Sequence, residues 1–271
     1  MKTTKNTPAV KDQVRDYWNN QPCGTQFTEA LPFSKEYFAN IEEHRYTVEP
    51  EIFSFAQFTR YREKKILEVG TGAGSDFTQW VRSGANATGI DATEAGVQHT
   101  TQRLLLEGLN NFELIVGDCE KLPFPENTFD LVYSWGVIHH TPNTWGALSE
   151  IIRVCKPGGE IKVMIYHRHS LLSLFFWVKY ALLKGRPWKS LSWCLSNYME
   201  SVGTKAYTRK EVQNFLIKQP VNTIKINTYL TFYDRLERFG TAYTKIAQCL
   251  AWLLGGNRVG WFLTIRAQKN Q

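Results

Sequence analysis

Lys64-Lys65-Ile66-Leu67-Glu68-Val69-Gly70-Thr71-Gly72-Ala73-Gly74-Ser75-Asp76 is the stretch on which the fold turns. Ile66, Leu67 and Val69 form a short apolar, partly β-branched run that suits a strand covered on both faces. The glycines after it allow a tight turn, and Ser75 or Asp76 can cap the helix that follows. Such a unit lets a nucleotide approach bare backbone. A dinucleotide fingerprint puts its last glycine three positions after the second, but here Gly70, Gly72 and Gly74 run two apart and Ser75 holds that slot. Glu68 directs a carboxylate towards the place of a pyrophosphate, so a cationic, phosphate-free ligand fits better than an anionic dinucleotide. A glycine turn that holds no ligand is the alternative, and the flanking sequence decides.

The chain of 271 residues has room for one elaborated domain or two small ones. Hydrophobic content of 43% against 21% charged residues argues against disorder, and 9 Trp, 12 Tyr and 16 Phe provide aromatic surface for a ligand or interface. A net charge of +7 is compatible with nucleic acid, anionic lipid or acidic substrates, but the cations are scattered singly and single out none of them. Cys23, Cys119, Cys155, Cys194 and Cys249 form no C-x-x-C pair, so neither a disulfide framework nor a zinc site is expected, which suits a cytoplasmic protein. The polar run from Met1 to Asp16 lacks the apolar core of a signal peptide, and no run reaches the roughly 18 apolar residues of a membrane span.

Working outward, Val14, Tyr17 and Trp18 have helix-like spacing before the breakers of 19–24, and Pro50 opens a helix with Ile52, Phe53, Phe55, Ala56 and Phe58 as its apolar stripe. Residues 1–62 are expected to form a helical lid. From Ile66 strands and helices alternate, which predicts a mostly parallel sheet with helices on both faces over 63–168. Strands are expected at Ala87–Ile90, Phe112–Val116, Phe129–Ser134 and Glu160–Tyr166, with Lys156-Pro157-Gly158-Gly159 ending the helix before the last. Residues 169–204 interrupt the alternation as a helical, aromatic-rich cap. Thr208-Arg209-Lys210-Glu211 then starts a helix with a capping box, and Ile224–Phe232 and Val259–Ala267 read as an antiparallel pair completing the sheet within 205–271.

Further signals fall at the carboxyl ends of successive strands, where open α/β sheets bind ligands. Asp91 ends the second strand, where a carboxylate can accept both ribose hydroxyls. Gly117-Asp118-Cys119 ends the third, where an acid can accept an adenine amino group. Leu122-Pro123-Phe124-Pro125, Phe129-Asp130-Leu131-Val132 and Arg153-Val154-Cys155-Lys156-Pro157-Gly158-Gly159 complete the set. Together with Glu-Val-Gly-Thr-Gly-Ala-Gly, the span from Ile66 to Tyr166 resembles the class I S-adenosylmethionine-dependent methyltransferases, and most closely their ubiquinone/menaquinone-biosynthesis-like (type 11) branch. It departs from that pattern at Cys119, Ile138 and Cys155. The resemblance implies a Rossmann-like seven-stranded sheet in the order 3-2-1-4-5-7-6. It also implies S-adenosylmethionine as cofactor and S-adenosylhomocysteine as product. By the same resemblance Glu68, Gly70 and Gly72 line the methionine and ribose end, Asp91 the ribose, and Asp118 with Cys119 the adenine. Thr71, Gly74, Ala92, Ser134 and Trp135 are expected in the same lining.

A sulfonium carries its own leaving group, so no metal is needed and a dedicated base is optional. The candidates for a base are His140 and His139 after the fourth strand, with Tyr166 at the end of the fifth; the histidines can equally orient the following turn. Tyr17 and Arg45 in the lid either contact the cofactor, by cation–π attraction and by pairing with its carboxylate, or pack the lid. Leu171 to Leu183, as a helix, spans ~20 Å against the ~30 Å core of a bilayer. It either roofs a substrate pocket, packs as a buried or dimer helix, or touches a lipid surface. Trp177, Tyr180, Trp188 and Tyr198 are its candidate substrate contacts.

The expected function is methyl transfer to a small, partly apolar acceptor through an oxygen, nitrogen or activated carbon. A lipid-like acceptor is compatible with this reading, no nucleic acid partner is expected, and a homodimer or peripheral membrane contact stays open. The alternatives are methylation of RNA or protein, against which no Asn-Pro-Pro-Tyr-like motif follows the fourth strand, and a non-catalytic cofactor-binding module.

Overall fold

The apolar runs assemble into one seven-stranded sheet of β1 (Lys65–Val69), β2 (Asn86–Asp91), β3 (Phe112–Val116), β4 (Phe129–Trp135), β5 (Cys155–Tyr166), β6 (Val221–Tyr229) and β7 (Phe262–Lys269). Their order is β3-β2-β1-β4-β5-β7-β6. β1 to β5 pair in parallel, and β7 runs antiparallel between β5 and β6. This is the Rossmann-like arrangement that the sequence implied. The computed structural model describes residues 7–271 apart from Val202. Residues 1–6 of the expected lid and polar amino terminus, and Val202 of the expected cap, lie outside the described residues.

Alternation along β1 explains why the strand is nearly all apolar. Ile66 joins one core cluster with Phe77 and Trp80, whereas Leu67 and Val69 join another with Leu148 and Ile151. The lid consists of α1 (Thr7–Asn20), α2 (Lys35–Val48) and α3 (Glu51–Ala56). α4 (Ser75–Arg82) and α5 (Glu94–Leu106) supply Phe77, Trp80 and Leu104 to the first face. α6 (Thr144–Val154) and α9 (Arg209–Leu216) cover the other, and α7 (Leu171–Tyr180) and α8 (Leu191–Tyr198) form the segment after β5.

Several local expectations are corrected. Neither Ser75 nor Asp76 caps α4: Gly74, at φ 79°, is the cap residue, and Asp76 turns inward to other partners. Pro50 stands before the first turn of α3, which is only six residues long, while the mixed stretch ahead of it forms the longer helix α2, capped by Ser34. Pairing of β5 begins at Cys155 opposite Phe129 and resumes at Glu160 opposite Leu131, so Lys156-Pro157-Gly158-Gly159 is a bulge inside the strand. β6 and β7 are not joined directly: α10 (Thr241–Leu254) and α11 (Gly256–Val259) stand between them. α11 takes Val259, the residue expected to begin β7, which starts instead at Phe262.

Candidate active site

A cavity of ≈ 980 Å³ opens at the carboxyl ends of β1 to β5, where every parallel strand delivers its last side chain. One end is acidic and rich in glycine, the other aromatic.

The acidic end is built by the β1 turn. Gly70, at φ 84°, has its amide donating to the Ile90 carbonyl at 2.7 Å, and a Cβ there would stand 2.3 Å from Val137 Cγ2, so bare backbone faces the cavity. Asp91 is fixed by three donors: the Gly72 amide (2.9 Å), the Thr93 amide (2.9 Å) and the Thr93 hydroxyl (2.7 Å). A Cβ at Gly96 would stand 2.7 Å from the Asp91 carboxyl carbon, so glycine in the first turn of α5 makes room for that acid. Glu68 is buried, with one oxygen accepting from Trp80 Nε1 at 2.8 Å. Burial, and after it the negative Asp76, push its carboxyl well above the usual range. Asp118 accepts from the Glu120 amide at 2.8 Å and pairs with Lys11 of α1 at 2.6 Å. Asp118, the acid expected at the adenine end, thus already carries a cation from the lid.

Asp76 is the hub beneath this end. It receives Arg45 Nε at 2.9 Å and Nη2 at 2.7 Å, the Tyr133 hydroxyl at 2.8 Å and the Tyr46 hydroxyl at 3.2 Å. Arg45 does line the cavity, but this grip commits two of its donors.

The aromatic end is walled by Trp135, Tyr166, Tyr233, Trp261 and Phe262, and roofed by Leu172 and Phe176 of α7. Tyr166 stacks on Trp261 at 4.2 Å, and Trp135 meets Phe262 edge-on at 5.5 Å. Two carboxylates sit among these rings. Glu49 accepts from Trp135 Nε1 at 2.7 Å and from the Tyr233 hydroxyl at 3.3 Å, and Glu200 accepts from the Tyr166 hydroxyl at 3.1 Å. Burial raises the Glu49 carboxyl against the lowering pull of Arg45.

His140 lines the cavity edge-on to Trp18, with Nδ1 hydrogen-bonded to Ser201 Oγ at 2.8 Å and Thr204 Oγ1 at 3.1 Å. Burial, and then Lys205, push its pKa down to about 3. His139 is fully buried against the Tyr166 ring at 3.9 Å, and neither ring nitrogen has a hydrogen-bond partner among the described residues.

Of the residues picked from sequence, Glu68, Gly70, Thr71, Gly72, Asp91, Ala92, Asp118, Cys119, Trp135, Arg45, His140, Tyr166 and Tyr198 line the cavity. Seven lie outside its lining. Gly74 caps α4, and Ser134 is buried and donates to the Val69 carbonyl at 3.0 Å, tying β4 to β1. Tyr17 does not line the cavity but packs edge-on against Trp18, which does, and His139 lies behind the Tyr166 ring. Trp177 donates to the Lys189 carbonyl at 2.8 Å, Tyr180 stacks on the back of Tyr198 at 4.2 Å, and Trp188 is 75% exposed. Sequence reasoning missed Glu49, Asp76, Glu200, Tyr233, Trp261 and Phe262. The last three come from the segments before and within β7, whose path back to the sheet was read as a plain hairpin.

The acidic end fits an adenosyl sulfonium. Carboxylates converge there with bare glycine backbone, and Lys11 and Arg45 in the lining are already paired with Asp118 and Asp76, a set suited to ribose hydroxyls and positive charge rather than to phosphates. Among the described residues no group of three or more His, Cys, Asp or Glu is arranged to hold a metal ion, and no helix is long and apolar enough to cross a membrane.

Residues 67–163 match the family described as "Methyltransferase domain". A sterol 24-C-methyltransferase of Gibberella zeae is 26% identical over 186 residues, 57% of this chain and 49% of that protein. A phthiotriol/phenolphthiotriol dimycocerosates methyltransferase of Mycobacterium leprae is 37% identical over 100 residues, 36% of each chain. The chain thus spans about half or less of the length of the curated relatives it matches. Haemonchus contortus phosphoethanolamine N-methyltransferase 2, solved with phosphomonomethylethanolamine and S-adenosylhomocysteine, shares the fold at a TM-score of 0.61 and 15% identity, over 95% of this chain and 60% of that one. The match is to the domain in general and does not single out the ubiquinone-like branch. Residues 67–163 therefore form a methyltransferase domain of the class I family, with S-adenosylmethionine as its cofactor.

Proposed function

We propose that the protein transfers the methyl group of S-adenosylmethionine to a neutral, lipid-like small molecule held in the aromatic half of the cavity. The observation that carries this reading is the division of one continuous cavity into an acidic, glycine-lined end and an aromatic end roofed by Leu172 and Phe176. When bound, the cofactor supplies a sulfonium methyl with its own leaving group. The chain's task is to align the acceptor and exclude water, effects that supply ~7–11 kcal/mol. Asp91 and Asp118 hold the adenosine, Glu68 balances positive charge, and the stacked rings exclude solvent.

Charge decides among acceptors. Transfer moves a positive charge from sulfur to the acceptor. Glu49 and Glu200, set among ring faces, stabilise that charge if the acceptor begins neutral and oppose an acceptor that begins anionic. A neutral amine, hydroxyl or electron-rich carbon fits; a free carboxylate or phosphate at the reacting atom does not. His140, with a pKa near 3 and its Nδ1 engaged by Ser201 and Thr204, is a weak proton acceptor at neutral pH, and we assign it to positioning Ser201 and Thr204. The sterol and dimycocerosate relatives act on lipids, which supports a lipid-like acceptor.

The test is incubation with methyl-labelled cofactor and separate pools of lipid extract, polar metabolites, RNA and protein. Label in the lipid extract is expected. Label confined to RNA or protein overturns the reading, and tight cofactor binding with label in no pool supports a non-catalytic module instead.

A further inference from the structure

α10 is amphipathic in the wrong sense for a water-facing helix. Its buried residues are the small Ala247 and Ala251, while Tyr243, Ile246, Trp252 and Leu253 point outward, Trp252 at 82% exposure. The end of α7 and the turn after it continue the patch, with Leu183 at 74% and Trp188 at 75% exposure. The two helices are one surface, because Phe175 of α7 packs on Phe239 at 4.4 Å and on Tyr243 at 5.8 Å.

The charge within the two segments has a single sign, and Glu237, in the turn just before α10, is within 3.9 Å of Arg235. No acidic residue occurs between Glu160 and Glu200, nor anywhere after Glu237, whereas Lys179, Lys184, Arg186, Lys189, Lys245 and Arg258 all fall there. Lys179 stands over the rings of Phe175 and Tyr180 at 5.8 and 5.1 Å, in the middle of the patch.

We propose that this α7–α10 face docks on an anionic lipid bilayer. Apolar side chains that include tryptophan, ringed by lysine and arginine, are the composition of helices that lie in a membrane interface. A second copy of the chain is a poorer occupant. A two-fold contact would set this face against itself, cation to cation, with no carboxylate in either segment to pair them. The other side of α7 presents Leu172 and Phe176 to the cavity, and Tyr198 of α8 lines it too, so the docked face lies one helix away from the acceptor site. The contact itself does not depend on the acceptor reading, and its test contains no acceptor.

The test is co-sedimentation with vesicles of phosphatidylcholine alone or mixed with phosphatidylglycerol, at low and high salt. The expected result is binding to the phosphatidylglycerol vesicles that weakens with salt. The double variant Trp252→Ser with Leu253→Ser lowers that partition about tenfold, as does Lys184→Glu with Lys245→Glu, since each charge near such a surface contributes several-fold. Unchanged affinity for S-adenosylhomocysteine shows that the variants are folded. The proposal is overturned if neither vesicle binds, if the double variants bind as the parent does, or if the parent is a dimer in solution that the Trp252 variant dissociates.

Discussion

Arg45 of α2 grips Asp76 of α4 through two nearly parallel hydrogen bonds, Nε to Oδ1 at 2.9 Å and Nη2 to Oδ2 at 2.7 Å. The carboxylate they reach is 2% exposed and also receives the hydroxyls of Tyr133 and Tyr46. Through this pair the lid is fastened to the first helix after the glycine turn.

Removing the cation leaves a buried carboxylate with hydroxyl donors only. Arg45→Ala is expected to lower stability by about 3 kcal/mol, read from urea denaturation, because breaking one side of a buried pair leaves the other charge uncompensated. Arg45→Lys is expected to recover only part of this, since an ammonium cannot supply the planar fork. A loss below about 1 kcal/mol for the alanine variant would mean that the pair is exposed in solution.

Asp91 is held by three donors in a fixed orientation, with its free lone pairs towards the cavity. Asp91→Asn is expected to weaken binding of S-adenosylhomocysteine by roughly tenfold to a hundredfold in calorimetry, the worth of charged hydrogen bonds to two hydroxyls. Unchanged affinity would remove the ribose from this position.

Glu49 lines the half of the cavity proposed for the acceptor. Glu49→Gln keeps the size of the side chain and an acceptor oxygen for Trp135 or Tyr233 but loses the charge. Turnover with the lipid acceptor is expected to fall about tenfold or more while cofactor affinity stays within about twofold, the pattern of an interaction made mainly in the transition state. Equal turnover would show that no positive charge builds up beside this acid.

The buried histidines make stability fall in acid. His140 has its pKa at about 3 and His167 at about 4, both below the ordinary 6.5, because burial disfavours the charged ring. The unfolded chain therefore binds more protons than the native one as pH falls below 6.5, and stability must decrease there. For His140 alone the loss is ~1.4 kcal/mol per pH unit from 6.5 downward, until the folded pKa is reached. Urea midpoints measured at pH 7 and pH 5 are expected to show that decline, and His140→Asn is expected to flatten it. A parallel slope in the variant would place the His140 ring in solvent.

The cofactor end was legible in the sequence because its chemistry is local. A strand, a glycine turn and an acid at the next strand end come from short stretches in fixed register, and Glu68, Asp91 and Asp118 all reach the cavity. The acceptor end was not, because it is assembled from distant segments. Glu49 and Tyr233 meet across 184 positions, and Tyr166 and Glu200 across 34. No spacing rule links such pairs. Trp177 and Trp188 stood out by composition alone, and composition does not say which side of a helix faces inward. α10 escaped notice for a related reason: its apolar residues face solvent, so no core-facing stripe marked the stretch from 241 to 254.

The central claim is that one cavity holds an adenosyl sulfonium at its acidic end and presents it to an aromatic acceptor site. A crystal structure determined with S-adenosylhomocysteine tests it most directly. The account predicts ribose hydroxyls on Asp91, the adenine edge at Asp118 and Cys119, and the sulfur facing the wall of Trp135 and Tyr166. An adenosine bound elsewhere, or a sulfur turned away from that wall, would contradict it.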